Sequence, residues 1–305
     1  MLKKIFLFVI VLVTGLVLPV ISNGAGLQAS EIGPERGTLI IIGGAMKDPA
    51  ILQRFMELAG GPDAPVVVIP TAGGADSYDQ NWRGLQMFRN AGFRNLTVLH
   101  TKNREVADSA EFILPITKAR GVFFGGGRQW RLADAYLNTR THRELFALLD
   151  RGGVIAGSSA GATIQGSYLV RGDTKTNTIM MGDHTEGMGF LKNTGIDQHL
   201  LRRNRHFDML EVMKAHPDLL GIGIDEDTAI VVQGDRFDVM GQGYVVIYDH
   251  SSHIPPSGPF YFMAPGDRFN LKTRQASRPS QTYRPLERVK PVDKKTEIKK
   301  IGGEK

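Results

Sequence analysis

The segment Gly157-Ser158-Ser159-Ala160-Gly161-Ala162 follows directly on the apolar run Val154-Ile155-Ala156. A serine set between small residues where a strand turns into a helix is the pattern of a nucleophile elbow, G-x-S-x-G. The turn is crowded, so its neighbours must be small, and it projects the Ser159 hydroxyl into a cleft. The N–H of Ala160 points to where an oxyanion would develop. A second donor would come from another strand end, for which Gly125-Gly126-Gly127 offers backbone without side-chain obstruction. The competing reading is a glycine-rich turn that only packs or binds phosphate. Neither G-x-G-x-x-G nor G-K-[ST] occurs, which argues against dinucleotide and P-loop sites.

A serine nucleophile needs a base, and the base needs an orienting acid. Of eight histidines, His199 stands out. It closes Gly195-Ile196-Asp197-Gln198-His199 and leads into the polar Arg202-Arg203-Asn204-Arg205, as a strand end entering a pocket would. The acid could be Asp197, Asp225, Glu226 or Asp227, the last three following the apolar Gly221-Ile222-Gly223-Ile224. Adjacent acids would equally suit a solvated loop or a calcium site, but the spacing lacks the EF-hand alternation. No H-E-x-x-H occurs. No metal and no cofactor are expected.

These residues must be held by a fold, and the pattern of elements indicates which. Runs at 38–44, 66–69, 96–100, 121–124 and 154–156 read as buried strands ending in glycine or polar loops. Helix-period stretches at 49–58, 81–91, 107–119, 130–137 and 142–150 separate them. Strands alternating with helices predict an α/β fold, an open and mostly parallel doubly wound sheet with its site at the carboxyl ends of the strands. Past Gly221 the stretches 229–233, 238–240 and 244–248 alternate like strands and predict an antiparallel C-terminal extension of that sheet. No linker or internal repeat divides 25–271, so it reads as one domain.

The 305 residues are 42% hydrophobic and 22% charged, an ordinary globular composition that excludes collagen, coiled coil and whole-chain disorder. The absence of cysteine excludes disulfides, cysteine-ligated metals and a thiol nucleophile. Net charge is +6, but Lys3 and Lys4 and a net +7 from Lys272 onward exceed that total, leaving −3 on residues 25–271. No basic stripe on the body is evident, so no nucleic-acid partner is expected. Lys3-Lys4, an apolar run from Ile5 to Ile21 and the small Ser22-Asn23-Gly24 have the layout of a signal peptide over 1–24. They predict an exported protein with no stable membrane insertion once cleaved. Residues 272–305 are basic and proline-interrupted and read as a disordered tail.

Taken together, these motifs resemble the cyanophycinase-type members of serine peptidase family S51, whose fold is similar to that of class I glutamine amidotransferases. The resemblance covers most of 37–271 and rests on Gly43-Gly44-Ala45, the Phe123–Gln129 segment, Gly157–Ala162, Asp197-Gln198-His199 and Gly221–Ala229. It implies Ser159 as nucleophile, His199 as general base and Glu226 as its orienting acid. Gly126, Gly127 and Ala160 would form the oxyanion hole. Gln129, Asp197, Gln198, Arg203 and Arg205 would line the substrate pocket. The substrate implied is a peptide or polymer, cyanophycin, cleaved to β-Asp-Arg dipeptides, and a homodimer is left open. Two features depart from the family: Asp208 stands about where a further arginine is usual, and Arg128 stands where a smaller or acidic residue is usual. Rival readings are a dipeptidase for Asp-containing or isoaspartyl peptides and a secreted binding protein on the same scaffold.

Overall fold

The computed structural model describes residues 30–250 and 258–279. The expected signal segment lies outside the described residues, as does the chain from 280 onward. Among the described residues no helix is long and apolar enough to cross a membrane.

The first half alternates as expected. Strands β1 (Thr38–Ile42), β2 (Val66–Ile69), β3 (Leu96–Val98), β4 (Gly121–Phe124) and β5 (Val154–Ser158) are all parallel, in the order β1-β5-β4-β2-β3. Helices α1 (Pro49–Ala59), α2 (Gln86–Asn90), α3 (Arg104–Ala107), α4 (Leu114–Lys118), α5 (Gln129–Tyr136) and α6 (Arg140–Asp150) connect them. The local chemistry explains the best formed of these. Asp48 caps α1 by accepting from Ala50 N, proline occupies the first position, and Gly60 ends the helix in the left-handed region. The stretch 107–119, expected as one helix, holds only the last residue of α3 and, after a run of turns, α4, with Pro115 in the first turn of the latter.

Beyond α7 (Ala160–Thr163) the chain departs from a single extended sheet. Strands β6 (Gly166–Tyr168), β7 (Leu191–Gln198) and β8 (Leu220–Ile224) are followed, after α8 (Met209–Ala215) has joined β7 to β8, by β9 (Thr228–Gln233), β10 (Arg236–Gly241), β11 (Val245–Tyr248), β12 (Tyr261–Met263), β13 (Arg268–Asn270) and β14 (Gln275–Ser277). β9, β10, β13 and β14 extend the central sheet antiparallel from β1, as the pattern predicted for 229–233 and 238–240. Residues 244–248 do not. They form β11 of a second sheet ordered β12-β11-β8-β7-β6, in which β6, β7 and β8 run parallel.

The period-two alternation of the strands assigns each face its neighbour. Ile40, Ile42, Val66, Val68, Phe123 and Ala156 pack against Ile51, Phe55 and Ala59 of α1. Leu39, Ile41, Val67, Val122, Phe124 and Ile155 face α5 and α6 and also Ile222, Ile224 and Ile247 of the second sheet. Each such Val, Leu, Ile or Phe side chain, fully buried, contributes about 1.5–3 kcal/mol. The second sheet thus covers part of a face that helices cover elsewhere, and it brings the end of β7 over the end of β5.

The boundary expected at Lys272 moves as well. β14 pairs with β13, and Arg278 grips the buried Asp267 through Nε and Nη2, each 3.0 Å from a carboxylate oxygen. Ion pairing, which a count of apolar residues does not register, holds this basic segment to the fold.

Candidate active site

Each glycine of the elbow has a steric reason. A Cβ on Gly157 would lie 2.1 Å from the Gly161 carbonyl oxygen, and one on Gly161 2.2 Å from that of Phe124. Ser159 itself adopts φ 56°, ψ −114°, a conformation that costs an ordinary residue roughly 1–3 kcal/mol. The surroundings hold it there: Ser159 N donates to Ile42 O at the end of β1, and its carbonyl accepts from Ala162 N and Thr163 N. The helix that follows is a single turn, and Ala160 is its first residue, so its N–H has no partner within the helix.

Gly126 lies alongside. A Cβ there would come 3.3 Å from Ser159 Cβ, so backbone can approach the serine and a side chain could not without displacement. Gly127, at φ 143°, packs its α-carbon against the Ala72 carbonyl instead. Of the two glycines expected at the oxyanion position, Gly126 is the one beside the nucleophile.

His199 sits at the end of β7. Its Nε2 is 2.9 Å from Ser159 Oγ, and its Nδ1 is 2.7 Å from Glu226 Oε1. Its backbone is left-handed, φ 53°, and its N–H donates to Gly43 O. Gly44 leaves room for the ring, since a Cβ there would meet His199 Cε1 at 2.3 Å. Burial pulls the imidazole below its ordinary pKa of 6.5, the hydrogen bond to Glu226 opposes this, and the charges of Arg203 and Arg205 add to the lowering. The resting ring is therefore neutral near pH 7 and able to take a proton.

The three adjacent acids divide their tasks. Asp225 Oδ1 accepts from Leu201 N and Arg202 N, fastening the turn after His199. Asp227 Oδ1 accepts from Lys47 N and Asp48 N, fastening the loop after β1. Glu226 alone faces the imidazole. Among the described residues no group of three or more His, Asp or Glu side chains is placed to hold a metal ion.

Of the residues expected to line the pocket, only some reach its surface. Arg203 is exposed. Arg205 is buried but stays next to the site, its Nη1 3.2 Å from both the carbonyl and the Oε1 of Gln198. Desolvation, with the charge of Arg171 second, pulls Arg205 down to about 10. Asp197 and Gln129 are inside the wall instead. Gln129 Nε2 donates to the carbonyls of Val170 and Arg171, both at 2.8 Å. Asp197, 0% exposed, receives a forked pair from Arg171, Nε to Oδ1 at 2.8 Å and Nη2 to Oδ2 at 2.9 Å.

Arg171 is the residue that sequence reasoning missed. It is 1% exposed, its backbone is left-handed at φ 55°, and it also donates to Asp208 Oδ2 at 2.7 Å and to the Asn177 carbonyl at 3.2 Å. Arg128, noted as unusual, holds the same loop by donating to the carbonyls of Asp173 and Thr176.

The relatives of this chain agree with the chemistry its site could perform. The peptidase family S51 profile matches residues 39–240. Cyanophycinase of Geminocystis herdmanii is 31% identical over 261 residues, covering 79% of this chain and 96% of that protein. Cyanophycinase of Synechococcus elongatus is 30% identical over 262 residues, covering 79% and 81%. Among solved structures, the crystal structure of a peptidase from an acI-B1 actinobacterium is similar at a TM-score of 0.59 and 26% identity, over 78% of this chain and 98% of that one. The chain belongs to peptidase family S51 and is a serine-type peptidase.

Proposed function

We propose that the protein hydrolyses cyanophycin to β-Asp-Arg dipeptides through Ser159, His199 and Glu226. The observation that carries the catalytic part is the unbroken line from Ser159 Oγ through the imidazole to Glu226 Oε1, at 2.9 and 2.7 Å. His199 takes the Ser159 proton as Oγ attacks the scissile carbonyl carbon, and Glu226 stabilises the imidazolium that forms. The oxyanion meets the N–H groups of Ala160 and Gly126. His199 then protonates the leaving amine, the C–N bond breaks, and an ester to Ser159 remains. Water, losing a proton to His199, hydrolyses that ester and restores the serine.

The substrate assignment draws on the relatives named above and on the charges near His199: the exposed Arg203, the buried Arg205 and the half-exposed Asp208, whose charge acts on Arg205. A second reading, hydrolysis of short Asp-containing or isoaspartyl peptides, has one observation in its favour: Asp197 is already occupied by Arg171 and is closed to a substrate guanidinium. Incubation of the full chain with cyanophycin separates the two. Release of β-Asp-Arg that is abolished in Ser159→Ala supports the first reading; cleavage of α-Asp dipeptides alone overturns it. We further propose export, on the lysine pair and apolar run of residues 1–24. Detection of the chain in the cytoplasm with residue 1 intact would contradict it.

A further inference from the structure

We infer that Asp208, braced by Arg171, is the specificity-determining residue that receives the cationic side chain of the substrate. The inference deepens the polymer reading above and rests on it. It starts from the charges around one buried guanidinium. Arg171 lies between two carboxylates, Asp197 and Asp208, and Arg205 stands 4.0 Å from Asp197, so the four charges balance and the two carboxylates differ in what they leave open. Asp197 cannot offer that charge to a ligand: both its oxygens are taken by the guanidinium fork, Oδ1 also accepts from Gln198 N, and it is 0% exposed. Asp208 is engaged through Oδ2 only, and its side chain is 40% exposed. Of the two carboxylates, Asp208 is therefore the one that reaches solvent with an oxygen unengaged.

Its place is fixed relative to the reacting groups. Asp208 N donates to the Arg205 carbonyl at 3.0 Å, and Arg205 Nη1 touches Gln198, the residue before His199. Asp208 thus follows the turn that the buried Arg205 anchors to the end of β7, and its charge acts on the Arg205 guanidinium. A wholly acidic peptide gains from the exposed Arg203 but is repelled by Asp208. A unit that carries both a carboxylate and a guanidinium finds a partner for each, and a guanidinium can address a carboxylate through two parallel N–H groups. The buried fork on Asp197 braces the Arg171 guanidinium that in turn orients Asp208.

The test compares two synthetic substrates: a two-unit segment of the polymer bearing arginine, and the same segment bearing citrulline, which keeps the shape and loses the charge. Wild-type kcat/KM should favour the arginine segment by roughly tenfold, and Asp208→Asn should bring that ratio close to one. A ratio unchanged in Asp208→Asn, even with both rates lowered, would mean that Asp208 only braces Arg171. Equal hydrolysis of the two segments by the wild type would overturn this inference alone. Hydrolysis of neither would overturn the polymer reading along with it.

Discussion

The two sides of the site are built by different physics. The serine side is made of backbone and small residues: Gly157, Gly161 and Gly127 let main chain approach main chain so closely that a single Cβ would collide, and Gly126 passes close beside the Ser159 side chain. The histidine side is made of charges. Asp225 and Asp227 tie loops by accepting backbone N–H groups, and Arg171, Asp197, Asp208 and Arg205 form an ion cluster behind the end of β7. Steric construction places one reactive atom rigidly and tolerates no enlargement. Charged construction sets protonation and recognition, but it depends on every member being present, because a buried charge without its partner is strongly unfavourable.

The contrast can be broken or sharpened by substitution, beginning with the largest effect. Ser159→Ala should lower kcat by about 10⁴–10⁶-fold with thermal stability little changed, since the backbone hydrogen bonds that hold the strained turn do not involve the hydroxyl. Steady-state assay and a melting curve check both halves. Glu226→Gln keeps the shape of the acid and removes its charge, and should cost roughly 10²–10⁴-fold in kcat. Arg171→Ala leaves the buried Asp197 without its guanidinium fork, with only Arg205 at 4.0 Å as a counter-charge, and should destabilise the fold by about 3–5 kcal/mol in denaturant titration. A loss below 1 kcal/mol would show that the ion cluster is not what holds the histidine side. Gly44→Ala tests sterics on that same side. Its Cβ would overlap the His199 ring and its φ of 142° is unfavourable, so activity should fall with a stability loss of about 1–3 kcal/mol.

The smallest effect is on pH. Catalysis needs His199 neutral, so kcat/KM should rise with pH through the folded-state pKa of the ring and level off above it. Because burial lowers that pKa, the acid limb should have its midpoint below 6.5. Removing the Arg203 charge in Arg203→Gln relieves part of the lowering and should move the midpoint upward.

The same contrast explains what could be read from residue order. Ser159 was legible because steric demands leave a compositional trace: small residues at fixed offsets after an apolar run. The parallel strands β1 to β5 and the flanking helices were legible for a similar reason, through apolar runs that end in glycine. The ion cluster left no such trace. Asp197 reads the same whether it faces a ligand or an internal arginine, and its partner Arg171 lies 26 positions away with no periodic signal. Gln129 likewise gave no sign in the sequence that its amide donates to the carbonyls of Val170 and Arg171. The second sheet was hidden because local alternation identifies a strand and not its neighbour. Residues 244–248 alternate as 229–233 do, yet one segment joins β8 and the other β1. The fastening roles of Asp225 and Asp227 were open among three adjacent acids, and only their distances separate them from Glu226.

The central claim is that Ser159 and His199 act as one unit on the scissile bond. The most direct measurement is the kcat of Ser159→Ala, of His199→Ala and of the double variant on the same substrate. A shared proton transfer predicts that the double variant is no slower than the slower single one, because either loss already abolishes the step. A double variant slower by the product of the two individual losses would show that the residues contribute independently, and would contradict the account.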